Sequence, residues 1–252
     1  MNTSFTTVIA SACLLAAVLS GLWARRFLLE HHLTKDSKDT VKLALGLVAT
    51  MSALLLGLLV NSAKTSYDTT RTQVMQKAAK YALLDRILAI YGPQAAQVRG
   101  ELPALIEESM RRTWPDGADI QKQSMHVTEM GNSFYVGLLR LEAHDDAERT
   151  LKSQAVSLTV ELGQINSLMQ AESTTSISTP MLVVLVIWLV IIFFGFSLYA
   201  PKKNATAALA LIASALCVAG SLLLILELDR PFDGILQISS EPMWNVLRQC
   251  GK

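Results

Sequence analysis

The stretch LALGLVATMSALLLGLLVNSA, Leu43 to Ala63, carries no ionisable side chain. A hydrocarbon layer about 30 Å thick is crossed by roughly 20 helical residues rising 1.5 Å each, and a helix pairs every backbone N–H and C=O that lipid would leave unpaired. From Asp39 to Tyr91 there is no proline, and the only glycines are Gly46 and Gly57, inside the run. One helix is therefore expected to leave the membrane and continue to Gly92-Pro93, a combination that stops helices. Its length would be on the order of 75 Å.

Outward from this run, three more segments have the length and apolarity of a span: about Phe5 to Ala24, Met181 to Ala200 and Ala205 to Leu226. The first is read as a retained helix rather than a cleaved signal, because no Lys or Arg precedes it and Arg25 and Arg26 follow it directly. Of the 252 residues 51% are hydrophobic and 17% charged, which excludes disordered and collagen-like classes. A net charge of +1, from 22 basic and 21 acidic residues, offers no global field to recruit nucleic acid. Cys13 and Cys217 fall in apolar runs and Cys250 near the end, so no disulfide is suggested. The chain divides into a first transmembrane pair (1–63), a soluble region (64–180), and a second pair with a short amphipathic tail (181–252).

The soluble region holds 12 basic and 14 acidic side chains, an ordinary water-facing composition. A helix is expected over Gln94 to Arg112, disturbed at Pro103, then a turn at Trp114-Pro115-Asp116-Gly117. Another runs from about Asp145 to Glu172, where Leu151, Ala155, Leu158, Leu162, Ile165 and Met169 recur at three- and four-residue steps. The segment between these two has no assigned element. In the tail, Ser239, Ser240, Glu241 and Pro242 read as a helix start with a Ser cap. The helix after it would place Met243, Trp244 and Leu247 on one side, docked on the bundle or lying at the lipid surface. The fold class is all-α: a four-span transmembrane bundle with helical extramembrane extensions between spans two and three.

Helices in lipid meet through small residues. Ala49, Ala53 and Gly57 in span two, and Ala213, Cys217 and Ser221 in span four, are spaced for this and are the candidate helix-packing faces. They would pair within one subunit, or line a subunit interface or conduit. Span three carries large side chains all round and is expected to face lipid. No ionisable residue lies in the body of any span, which argues against proton-coupled transport through a midplane carboxylate. A pore gated by wetting, with selectivity set at its mouths, is compatible with such spans. The densest charge stands where span four ends; Glu227, Asp229 and Arg230 are the candidate pore-mouth or interface residues.

Near the other face, Glu30-His31-His32 with Asp36, Lys38 and Asp39 fits no common zinc spacing and reads as a solvated loop, with Asp36, Ser37 or Asp39 capping helix two. No phosphate-cradling Gly loop, His-Glu-x-x-His helix or Gly-x-Ser-x-Gly elbow occurs, so no enzyme activity, catalytic residue, cofactor or metal is expected. The loop from Arg25 to Lys42 holds five basic residues and the turn at Lys202-Lys203 two more. By the positive-inside rule both face the cytoplasm, leaving the termini and soluble region outside.

Glu30-His31-His32-Leu33, Asp36-Ser37-Lys38-Asp39, Gly46-Leu47-Val48-Ala49-Thr50, Tyr91-Gly92-Pro93, Trp114-Pro115 and Leu226-Glu227-Leu228-Asp229-Arg230-Pro231-Phe232 resemble a bacterial membrane-protein family called bestrophin-like. The resemblance implies a multi-pass protein of the bacterial inner membrane. Bestrophins proper are similar in their four spans and large section between spans two and three; they are pentameric anion channels whose termini and large section are cytoplasmic, opposite to the count of basic residues. The resemblance implies a homo-oligomer in the lipid bilayer with an inorganic ion as its partner. The acidic excess at Glu227 and Asp229 favours cations if it faces the axis, whereas the family favours anions. The other expectation is a noncatalytic scaffold or sensor whose soluble helices bind a protein partner.

Overall fold

The computed structural model describes residues 3–24, 35–114, 120–172, 179–200, 205–232 and 234–250. The Glu30-His31-His32 loop, the Pro115-Asp116-Gly117 turn and the Lys202-Lys203 turn lie outside the described residues. Among those described, every regular element is helical. The helices are α1 (Thr3–Ala24), α2 (Lys35–Tyr91), α3 (Ala96–Thr113), α4 (Ile120–Arg140), α5 (Asp146–Glu172), α6 (Thr179–Leu198), α7 (Ala205–Leu228) and α8 (Glu241–Gln249). Three are long and apolar enough to cross a membrane, within Asp39–Tyr91, Pro180–Leu198 and Ala205–Leu228, and a shorter apolar helix covers Ile9–Ala24. Two compact units form, one from Met1–Tyr67 with Thr175–Arg230 and one from Asp68–Thr174 with Pro231–Lys252.

α2 is a single helix of 57 residues, and it ends where glycine permits: Gly92 has φ +97°. It begins at Lys35, so the expected caps Asp36, Ser37 and Asp39 lie inside its first turns rather than before them.

In the first unit α1 packs against α6 and α7, burying Leu14 and Val18 among Leu185, Leu189, Phe193, Leu222 and Ile225. The approach is closest at Gly21, where an added Cβ would stand 2.6 Å from the Ser197 Cβ and 2.7 Å from the Phe194 carbonyl oxygen. α6 is apolar all round, so its sequence shows no stripe. The fold nevertheless buries Leu185, Leu189, Ile192 and Phe193 and leaves Val183, Ile187, Ile191 and Phe196 exposed. Span three therefore faces outward on only part of its circumference.

In the second unit the distal part of α2 presents Ala78, Tyr81, Leu84, Leu88 and Tyr91 to a core shared with α3, α4, α5 and α8. Pro103 lies inside α3 without breaking it, because Leu102, Leu105 and Ile106 on either side are fully or nearly buried and hold the helix in place. Asp145 caps α5: its carboxylate accepts the Glu148 N–H at 2.7 Å, while Glu148 reaches back to accept the His144 N–H at 2.7 Å, one residue before the cap. α4 is an element to which the sequence reading assigned nothing; its Phe134 and Leu138, four residues apart, enter the core.

The tail docks on the bundle. Met243 and Val246 are buried with Leu247 and Cys250 packed against the same core, while Trp244 is 47% exposed, so the docking face is turned from the one expected. Ser240 makes no side-chain cap; the Ser239 hydroxyl instead accepts the Glu241 N–H at 3.2 Å.

Replacing Gly21 by Val should force α1 off α6 and destabilise the protein by about 1–3 kcal/mol, read as a lowered melting temperature of the purified chain in detergent. Gly220→Ala, whose new methyl meets nothing within 4 Å, should not lower it.

Candidate functional site

α2 turns Leu45, Ser52, Leu59 and Ala63 inward, a stripe at seven- and four-residue steps. Ala49 borders that stripe, whereas Ala53 and Gly57 are rotated from it by roughly 80–120°, at 3.6 residues per turn, and stand exposed. On α7 the buried face is Ala215, Ala219, Leu222 and Ile225. Ala213 and Cys217 lie on the opposite face, exposed, with Ser221 half-buried. The two small-residue stripes thus lie mostly off the buried faces of α2 and α7, with Ala49 and Ser221 at their borders. The reason is that α1 packs on the inner face of α7, and among the described residues Ala213 and Cys217 on the other side are left exposed. A methyl added at Gly57 or Gly220 would meet nothing within 4 Å.

Four hydroxyls on these spans are satisfied by their own helices. Thr50 donates to the Leu47 carbonyl at 2.7 Å, Ser52 to Val48 at 2.8 Å, Ser214 to Ala210 at 2.8 Å and Ser221 to Cys217 at 3.1 Å. Such back-bonding removes the penalty of an unpaired hydroxyl in an apolar medium.

α7 ends at Leu228, after which the Asp229 N–H donates to the Ile225 carbonyl at 3.2 Å and the Arg230 N–H to the Glu227 carbonyl at 3.2 Å. Glu227 and Asp229 are half-buried and Arg230 is exposed. All three therefore follow the apolar body of α7, within four residues of one another.

In the second unit most buried or half-buried charge is paired. The Arg99 guanidinium grips the Asp85 carboxylate with two bonds, Nε to Oδ1 at 2.8 Å and Nη2 to Oδ2 at 3.0 Å, which raises the pKa of Arg99 further. Lys80 pairs with Glu161, whose carboxyl is held below its ordinary range by that hydrogen bond. The Trp114 indole donates to the Ile238 carbonyl at 2.9 Å and its ring meets Phe232 edge-on at 5.5 Å, tying the start of the tail to the end of α3.

Lys77 is different, and the sequence reading took it only as one of the basic residues after span two. It is 3% exposed, on the same face of α2 as Val74, Ala78 and Tyr81. Burial, with the like charge of Arg112 second, lowers its pKa to about 7. A lysine three and four residues from apolar positions that face a core was the legible signal. Burial likewise pushes the Tyr81 phenol up to about 12 and the Cys250 thiol up to about 11. Among the described residues no group of His, Cys, Asp and Glu side chains is arranged to hold a metal ion.

Long apolar helices with an extramembrane helical unit define an integral membrane protein of all-α fold. Residues 12–243 match the Bestrophin-like domain, and the chain belongs to that family. Crystal structures of a bacterial bestrophin homolog from Klebsiella pneumoniae share the fold. One has a TM-score of 0.67 at 14% identity, covering 99% of this chain and 98% of that one. A second has a TM-score of 0.65 at 15% identity, covering 98% and 96%. No curated protein matches the chain.

Because the Lys77 pKa is depressed in the folded state, the unfolded chain binds the extra proton between about pH 7 and the ordinary lysine value of 10.5. Stability should therefore rise with pH across that window, by up to about 1.4 kcal/mol per pH unit. Melting curves of the full chain in detergent at stepped pH check this, and Lys77→Met should raise the melting temperature at pH 7 and flatten its pH dependence over that window.

Proposed function

We propose that the protein is a homo-oligomeric ion channel, with α2 and α7 approaching its axis. The carrying observation is the apolar surface that α2 leaves uncovered. Leu43, Leu47, Met51, Leu54 and Leu58 are exposed along the span, and beyond it Leu83 and Ile90, seven residues apart on one face, are 48% and 63% exposed. Lipid accounts for the first set. The second lies on the part of α2 that belongs to the extramembrane unit, where an uncovered apolar pair at the seven-residue step is the surface a second helix covers. A second copy of the chain supplies one.

The family supports the same reading, since bestrophin homologues are oligomeric ion channels. The stripes Ala49-Ala53-Gly57 and Ala213-Cys217-Ser221 would then serve as subunit contacts or pore walls, and Glu227, Asp229 and Arg230 as one mouth. Two carboxylates to one guanidinium favour cations there; the likeness to bestrophins proper favours anions.

Purified protein in planar bilayers should give discrete conductance, and Asp229→Asn should shift its reversal potential in a salt gradient. A well-folded oligomer that stays silent overturns the proposal. Sidedness is open to a separate measurement. In a variant lacking Cys13, Cys217 and Cys250, Ser153→Cys on α5 is treated in intact cells with a membrane-impermeant maleimide. Labelling is the outcome expected from the distribution of basic residues; protection is the outcome expected from the likeness to bestrophins.

A further inference from the structure

In the extramembrane unit α2, α3, α4 and α5 enclose an open cavity of about 440 Å³. That volume falls within the range of small-molecule sites. Its charge inventory is one-sided. Among the described residues Arg112 is the single charged side chain in the lining, and none of the lining residues is a carboxylate. The guanidinium donates to the Gln170 side-chain oxygen, and among the described residues no carboxylate lies within ion-pair distance of it. This sets it apart from Arg99, Arg111 and Lys80, each of which has an acidic partner. An arginine has five donors in a planar fork, and one amide oxygen leaves most of them for something else.

The remaining lining divides by chemistry. Asn132, Asn166 and Gln170 supply amide groups, while Leu105, Phe134 and Val160 supply apolar wall. The space itself has an identifiable origin. Gly131 on α4 and Gly163 on α5 both line it, and a methyl added at either would meet nothing within 4 Å. Glycine is the poorest residue of a helix interior after proline. At Gly137 the missing side chain admits Val98, whose Cγ2 would lie 3.3 Å from an added Cβ. At Gly131 and Gly163 no protein atom takes the place, and the room stays open to solvent and to a ligand.

We propose that this cavity is a binding site for a small organic monocarboxylate, with its carboxylate on Arg112 and its hydrocarbon body between α4 and α5. A single cation in the lining suits a singly charged anion better than a phosphate dianion, and apolar wall opposite a guanidinium suits a ligand with one ionic end. The site is separate from the spans and from the charges at the end of α7, and it does not depend on whether the protein conducts ions.

Isothermal titration calorimetry of the full chain in detergent at pH 7 tests it, with phenylacetate and hexanoate as probes and phenylacetamide as the uncharged isostere. At least one carboxylate should bind roughly tenfold or more tighter than the amide, the margin expected of a hydrogen bond to a charged group. Arg112→Met should remove that margin and Arg112→Lys restore part of it. Gly163→Leu, which places a side chain in the open space and improves helix propensity, should abolish binding while leaving the melting temperature undiminished. Gly131→Leu should do the same from α4 and serves in its place if Gly163→Leu does not fold. The proposal is overturned if neither carboxylate gives heat at millimolar concentration, if the amide binds as tightly, or if the Arg112→Met or folded cavity-filling variants bind like the parent.

Discussion

A peptide group that leaves a helix inside hydrocarbon forfeits its hydrogen bonds without water to replace them, at several kcal/mol each. That constraint governs α2 more than any other element. The helix cannot bend out of its span cheaply, and its sequence holds no proline until Pro93 and no glycine between Gly57 and Gly92. It therefore runs on as one piece from the apolar unit into the polar one and stops only where Gly92 adopts φ +97°. The same helix then serves two environments with two faces. In the span it turns Leu45, Ser52, Leu59 and Ala63 inward, and beyond it Ala78, Tyr81, Leu84 and Leu88.

Electrostatics follows from the division. The bodies of the spans hold no ionisable group, since a charge at mid-membrane is expensive; the charges of α7 gather at its end, where Glu227, Asp229 and Arg230 stand. In the water-facing unit, carboxylates and cations pair across helices, as Asp85 does with Arg99 and Glu161 with Lys80. Lys77 and Arg112 break that habit. Among the described residues neither has a carboxylate partner, and burial, with the Arg112 charge second, moves Lys77 toward neutrality. The Arg112 charge therefore stays at the cavity it lines rather than being spent on a salt bridge.

Length and apolarity made the spans legible, and the absence of helix breakers made the long α2 legible, because lipid thickness and backbone pairing act on composition alone. α4 was missed. Its Phe134 and Leu138 do lie on one face, but weak helix formers such as Thr128, Asn132 and Ser133 and two internal glycines dilute the pattern, and burial against α3 and α5 supplies what propensity does not. The tail shows the reverse case: the helix start was visible in Ser239 to Pro242, yet the docking face was not, since Trp244 and Val246 can both be buried and only the available hole in the core chooses between them.

The sequence by itself determined that the chain crosses a membrane, where helix two ends, and that charge is excluded from the spans, because each follows from local composition and the solvent it must meet. Tertiary structure decided which faces are inside. Ala215 and Ala213 are the same residue type two positions apart on α7, one buried under α1 and the other exposed. The difference lies in where a neighbouring helix happens to pack, and packing depends on elements distant in sequence. The same holds for Arg112 and Gly163, whose meeting at one cavity no local pattern contains.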